Sequence, residues 1–195
     1  MNFDELISEA QHCQLCPRLA HRTKVLSHGN GNPTARLMFI AEAPGRLGAE
    51  KTGIPLTCDQ TGKNFDKLLK ASGLIRDNVF ITNAVICNPL TIDGNNDKPT
   101  ISELENCSII LRKTIRCVQP RIIVTLGRVA LESLKIIKYH ELVLKIDVGK
   151  MYSWYKCKLT PLYHPSPRVL VHRSFNQQVI DYRKIIKYLK SLEKR

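Results

Sequence analysis

Leu37-Met38-Phe39-Ile40-Ala41-Glu42-Ala43-Pro44-Gly45 is the stretch whose reading decides the fold. Its first five residues are apolar and read as a buried strand, which Pro44-Gly45 ends abruptly. Lys51-Thr52-Gly53 and Thr57-Cys58-Asp59 follow, and a helical pattern starts near Gln60. A strand that stops at Pro-Gly puts its next residues at the carboxyl edge of a sheet, where open α/β folds place their chemistry. A second rim motif, Tyr163-His164-Pro165-Ser166-Pro167, lies far along the chain.

Outward from this strand, strands and helices alternate. Phe3, Leu6, Ile7 and Ala10 have helical spacing over residues 3 to 12 and lead into Cys13-Gln14-Leu15-Cys16-Pro17. Ser27 to Thr34 is a loop rich in glycine and asparagine. Phe65, Leu68, Leu69 and Ala71 suggest a short helix from Asn64 to Ser72, ended by Gly73. Val79-Phe80-Ile81-Thr82 reads as a second strand within Asn78 to Ile86, with Asn83 at its end. After the polar segment Leu90 to Pro99, Thr100 or Ser102 caps a helix running to about Cys117. Arg121 to Leu126 is a third buried strand that turns at Gly127 into a helix from Arg128 to Leu134. Lys156 to Leu162 is the expected fourth strand, and Gln177 to Leu192 a closing helix with a basic face. Residues 135 to 158 show no clear period. The pattern predicts one domain over residues 1–195, a three-layer α/β/α fold around a central four-stranded parallel sheet.

A chain of 195 residues, 43% hydrophobic, can bury a sizeable core as one soluble domain. No apolar run approaches the length of a membrane span. Met1-Asn2-Phe3-Asp4-Glu5 lacks the basic start and apolar stretch of a secretory signal, so a cytoplasmic protein is expected. The formal charge is +13, with Arg168, His172, Arg173, Arg183, Lys184, Lys187, Lys190, Lys194 and Arg195 gathered toward the carboxyl end. Such an excess attracts polyanions and suits a phosphate backbone.

Seven cysteines, an odd number, in a chain without an export signal argue against a disulfide framework. Cys13 and Cys16 form a CxxC pair, Cys87 follows the second strand, and Cys107 sits in the helix after the polar loop. Four thiolates so placed suit tetrahedral zinc or a [4Fe–4S] cluster equally well. Cys117 and Cys157 read as core residues, and Cys58 stands in the rim loop beside Asp59.

These motifs, in this order and from Cys13 to about Arg173, resemble the iron–sulfur members of the uracil-DNA glycosylase superfamily, families four and five. The resemblance rests on the CxxC pair, Glu42-Ala43-Pro44-Gly45, Lys51-Thr52-Gly53, Thr82-Asn83 with Cys87, Cys107, the Ile123-Val124-Thr125-Leu126-Gly127 strand end, and His164-Pro165-Ser166. It implies a structural [4Fe–4S] cluster on Cys13, Cys16, Cys87 and Cys107, and a water-activating loop at Glu42 to Gly45. Asn83 would read uracil and His164 would face its O2. Glu42 is as in family four, whereas Asp59 and the five residues between Gly45 and Lys51 look more like family five. Two positions depart from the pattern: Leu56 stands where an aromatic ring usually stacks on uracil, and Cys58 where glycine usually precedes the acid.

The residue types suit that chemistry. An amide at Asn83 can pair with both the O4 acceptor and the N3 donor of uracil, and a wrong base leaves buried groups unpaired. Breaking the glycosidic bond puts negative charge on the base, which an imidazole at His164 stabilises as an oxyanion-hole donor does. A carboxylate on the other side, Asp59 or Glu42, orients water and balances the sugar cation. Of the two, Asp59 is preferred for the water. Ser166, Pro167 and Arg168 resemble a segment that presses into the DNA groove, and Lys63, Arg168 and Arg173 are candidate phosphate contacts. The expectation is a monomeric, monofunctional glycosylase acting on uracil in single- or double-stranded DNA. Its rivals are an inactive nucleic-acid-binding protein of the same fold, a four-cysteine zinc module, and a glycosylase for another damaged base.

Overall fold

The computed structural model describes residues 2–193; Met1, and Lys194 and Arg195 of the basic carboxyl end, lie outside them. Among the described residues five strands form one sheet: β1 (Leu37–Ala41), β2 (Phe80–Asn83), β3 (Ile122–Leu126), β4 (Tyr152–Trp154) and β5 (Cys157–Leu162). Their order is β2-β1-β3-β5-β4. The first four in that order run parallel, and β4 joins β5 antiparallel through a tight turn at Tyr155-Lys156. The sheet therefore has five strands and is mixed, which corrects the expected four-stranded parallel sheet. The expected strands are its parallel part. The fifth, Tyr-Ser-Trp, is too short to carry a period of its own and is held by its hairpin partner.

Among the described residues seven α-helices accompany the sheet: α1 (Phe3–Gln11), α2 (Ala49–Thr52), α3 (Gln60–Ser72), α4 (Ile101–Val118), α5 (Arg128–Ile137), α6 (Leu144–Asp147) and α7 (Phe175–Glu193). Alternate strand residues face opposite layers. Met38, Ile40, Ile123 and Leu159 pack with α1, α4 and α5. Leu37, Phe39, Ala41 and Val124 pack with α3 and α7. There Phe39 stands edge-on to Phe65, centroids 5.2 Å apart, and stacks on Tyr182 at 5.7 Å. Burial on both faces is why the parallel strands read as unbroken apolar runs. Pro161 is tolerated inside β5 because β4 pairs only as far as Leu159 and asks no hydrogen bond of residue 161.

The connection after β1 goes to one side and the one after β2 returns across to the other. The crevice between the ends of β1 and β3 is thus the topological switch point, where open α/β sheets bind ligands. The outer edge of β2 is covered by a loop: Asn32 donates its backbone N–H to the Val79 carbonyl, and the Asn30 amide donates to that of Ile81 at 2.7 Å. Gly31 makes this possible. A β-carbon there would stand 2.2 Å from the Val79 oxygen, and its φ of 104° excludes ordinary side chains.

Candidate active site

A cavity of about 190 Å³ opens at the switch point, lined by Glu42 to Gly45 after β1, Leu56, Asp59, Asn96, Gly127 after β3, and His164 after β5. The sheet register brings the first and last of these together. β1 pairs with β3, and β3 pairs with β5 out to Leu126 opposite Leu162, two residues before His164. A β-carbon on Gly127 would meet that of His164 at 3.5 Å.

Asp59 is the N-cap of α3. Its Oδ1 accepts the Gly62 N–H at 2.8 Å. Its Oδ2 faces the loop after β1: a β-carbon on Gly45 would lie 2.8 Å from it, and one on Gly48 would collide with the Thr57 carbonyl at 2.2 Å. The next turn of α3 fixes the other motif, because Asn64 donates to the Pro165 carbonyl at 2.9 Å. One helix thus sets the acid and the histidine against each other. Burial pushes the His164 pKa down to about 4, against the opposing pull of the Asp59 charge, so the ring is neutral at neutral pH. Burial also raises the Glu42 carboxyl above its ordinary value, opposed by the charges of Lys98 and Arg128.

The two departures noted in sequence are also two strained positions. Leu56 has φ 51° and Cys58 φ 64°, both left-handed. Arg76, lying over the Phe65 ring, hydrogen-bonds the carbonyls of Pro55 and Leu56 and pairs with Asp66, bracing the loop from behind. A side chain in this region costs about 1–2 kcal/mol, whereas glycine gives back about 0.5–1 kcal/mol through the freedom of the unfolded chain. Cys58→Gly is therefore expected to raise stability by about 0.5–1 kcal/mol. A higher urea midpoint at unchanged m-value is the check; an unchanged or lower midpoint sinks it.

Two residues that the sequence reading missed hold the loop after β1. Asn88 is fully buried; its Nδ2 donates to the Pro44 carbonyl at 2.6 Å and to Asn96 Oδ1 at 3.1 Å. Asn96 Oδ1 also accepts the Arg46 N–H at 2.9 Å. Asn88→Ala leaves the buried Pro44 carbonyl without this partner, at a cost of about 1–3 kcal/mol. It is expected to lower kcat about tenfold to a hundredfold by loosening the loop. Normal turnover in the variant would show that the loop holds its shape without it.

Asn83 ends β2 opposite Ala41, one residue before Glu42. It is 2% exposed, and its Nδ2 has no hydrogen-bond partner among the described residues, although it is not among the residues lining the cavity. Lys63 and Arg168 are exposed and pair with no carboxylate among the described residues. Arg173 differs: its guanidinium bonds Asp181 twice, at 2.8 and 2.6 Å, so its charge is committed inside the protein. Ser166 and Pro167 lead into a short 3₁₀ turn, after which Val171 is 83% exposed.

Cys13, Cys16, Cys87 and Cys107 line one small apolar cavity with Leu15, Leu19 and Asn106. Burial pushes the Cys87 and Cys107 thiols up to about 12, and both feel the charges of Cys13 and Cys16. Backbone N–H of Ile86 points at Cys107 Sγ (3.4 Å) and the Asn106 amide at Cys16 Sγ (3.5 Å). Among the described residues no group of three or more Cys, His, Asp or Glu side chains is arranged to hold a metal ion. Arg18, next after Pro17, reaches Glu103 with two bonds of 2.9 Å and Asp97 with one of 2.7 Å. Glu103 also closes the capping box of Thr100, so one network ties the CxxC segment to the start of α4.

Fold and cavity together define an α/β protein with the carboxylates of Glu42, Asp59 and Asp97 and a neutral imidazole lining the cavity at its switch point. Residues 28–190 match the sequence profile of the Uracil DNA glycosylase superfamily, and the chain belongs to that superfamily. A Type-4 uracil-DNA glycosylase of Saccharolobus solfataricus is 37% identical over 172 residues, 85% of this chain and 76% of the relative. A second, of Archaeoglobus fulgidus, is 30% identical over 190 residues, 94% of this chain and 92% of its own. A Type-5 uracil-DNA glycosylase of Pyrobaculum aerophilum is 30% identical over 194 residues, covering 85% and 83%.

Proposed function

We infer that this chain is a uracil-DNA glycosylase, hydrolysing the N-glycosidic bond of uracil in DNA for base-excision repair. The observation that carries the reading is the convergence of Glu42, Asp59 and His164 on one cavity at the switch point. A base inside a duplex is out of reach, so the substrate enters as an extruded nucleotide or in a single strand. Asn83, buried at the end of β2 with its Nδ2 unpartnered among the described residues, is the proposed reader of the base: a buried donor left without a bond costs about 1–3 kcal/mol, which a uracil carbonyl that reaches it would remove. The neutral His164 ring donates to O2 as negative charge develops on the leaving base. Asp59, with Oδ1 fixed by its cap, orients the water and faces the cation forming on the sugar. Glu42 and Asn96 shape the loop on the same side.

Cys13, Cys16, Cys87 and Cys107 are the proposed ligands of a [4Fe–4S] cluster. On ligand count four thiolates suit a cluster and tetrahedral zinc alike, and these four line one cavity; the resemblance to the iron–sulfur families favours the cluster. Its contribution is structural, joining α1 and the CxxC segment to α4 and the loop after β2. Lys63, Ser166, Pro167 and Arg168 are the proposed DNA contacts. No helix among the described residues is long and apolar enough to cross a membrane. A monomer working in the cytoplasm completes the reading.

The test is strand cleavage by hot alkali of a uracil-containing oligonucleotide after incubation with protein purified without oxygen. Thymine, hypoxanthine and xanthine strands run alongside. A uracil-dependent break is the expected result. No break on any strand, from protein with the absorbance of an intact cluster near 400 nm, would replace the enzyme with a binding protein of the same fold.

A further inference from the structure

A larger cavity, about 600 Å³, lies at the opposite edge of the sheet. It is formed where α4 ends and β3 and β5 begin, whereas the site described above lies where those strands end. Five strand residues of about 3.3 Å each put at least about 15 Å of sheet between them. Its walls carry Arg116, Arg121 and Lys156 over an apolar floor that includes Ile115 and Pro120, and among the described residues no carboxylate lines it. Arg116 also lines an adjoining depression with Arg112 and Lys113, so the cations continue along the outer face of α4. Neither Arg112, Arg116 nor Lys156 makes an ion pair among the described residues, whereas Lys113 pairs with Glu9 and the Arg121 guanidinium bonds the Leu192 carbonyl.

Tyr155 stands at the rim. It is 43% exposed and lies in the β4–β5 turn at φ 52°, where glycine or asparagine would sit without strain. Its ring lies beside that of Trp154, centroids 5.9 Å apart and tilted by 52°, and the Trp154 indole is fixed by a 3.0 Å bond to the Lys138 carbonyl. A strained turn that holds an aromatic ring outward on a rigid support, beside unpaired cations, calls for a ligand.

We propose that this groove is a second binding site, for single-stranded nucleic acid, with Tyr155 stacking on a base and Arg116, Arg121 and Lys156 holding the backbone phosphates. Cationic grooves with an aromatic platform bind single strands in this way, with little sequence preference. A duplex seated at the switch-point edge does not reach it, so the strand held here is a separate segment or a separate molecule. The site does not depend on the uracil reading.

Anisotropy and stoichiometry of a fluorescein-labelled twelve-nucleotide thymidine strand test it, with excision of uracil from a short duplex read in parallel. The wild-type protein is expected to take up one strand more per molecule than R116E/R121E/K156E. The weaker affinity in Tyr155→Ala is expected to be about fivefold or more. Excision and thermal melting stay unchanged in both variants, so failure of the glycosylase reading shows in excision alone. Equal stoichiometry in wild type and triple variant overturns the proposal. So does a Tyr155→Ala strand affinity equal to wild type, which reduces the groove to general attraction of anions. Equal competition by a twelve-residue glutamate peptide overturns it in favour of an acidic protein partner.

Discussion

His164→Ala is expected to lower kcat for uracil excision about 10²–10³-fold while DNA affinity changes little. The reason is timing. The ring meets no charge in the bound ground state and a growing one on O2 as the bond breaks, so its donor acts mainly in the transition state. The depressed pKa makes a second readout. At about 4 in the folded protein, the ring is already neutral across ordinary assay conditions. The kcat/KM profile is therefore expected to show no step near pH 6.5, where an unperturbed histidine titrates at about 6.5. Stability follows the same sign. As pH falls from about 6.5, the unfolded chain takes up a proton that folded His164 refuses, so its contribution is complete above that pH and declines toward about 4. The alanine variant lacks that slope. A variant whose DNA affinity falls as far as its kcat would make His164 a binding residue and remove it from the chemistry.

Asp59→Asn is expected to lower kcat about 10²–10⁴-fold without loss of stability. Asparagine caps a helix about as well as aspartate, so the bond from Gly62 to the side chain survives while the charge on Oδ2 does not. Asp59→Ala adds a loss of about 1 kcal/mol from the missing cap. Glu42→Gln is the comparison. Its half-buried carboxyl holds its proton to higher pH than usual, so less of it is available as a base as pH falls. If Glu42→Gln costs more turnover than Asp59→Asn, the water belongs to Glu42 and Asp59 is chiefly a cap.

The parallel strands were legible in sequence because each is buried on both faces and reads as an apolar run. β4 was not, because three residues in a hairpin borrow their conformation from Cys157 to Leu159. α3 begins at Gln60, where the helical pattern starts in sequence and five residues before its first apolar position, Phe65, because Asp59 and its cap bond start it. Glu42, Asp59 and His164 were readable as rim motifs, each announced by a strand end or a helix start. Asn88 and Asn96 were not, because what they do depends on contacts with Pro44 and Arg46, 44 and 50 residues away. Arg18 is the same case, acting on Glu103 across 85 residues. Arg173 read as a surface cation like Lys63, and only packing reveals that Asp181 holds it.

The two flanks of the sheet have a consequence for how the protein behaves in company. An open strand edge is a template on which another chain can add its own strand, and long flat edges invite aggregation. Here the Asn30-Gly31-Asn32 loop already occupies groups along one flank. The other flank ends in three residues and a turn that carries Lys156. Neither offers a run long enough for amyloid-like growth or strand exchange, and the repulsion of a +13 chain works in the same direction. Concentrated solutions are expected to stay clear, and refolding to run without self-association competing with it.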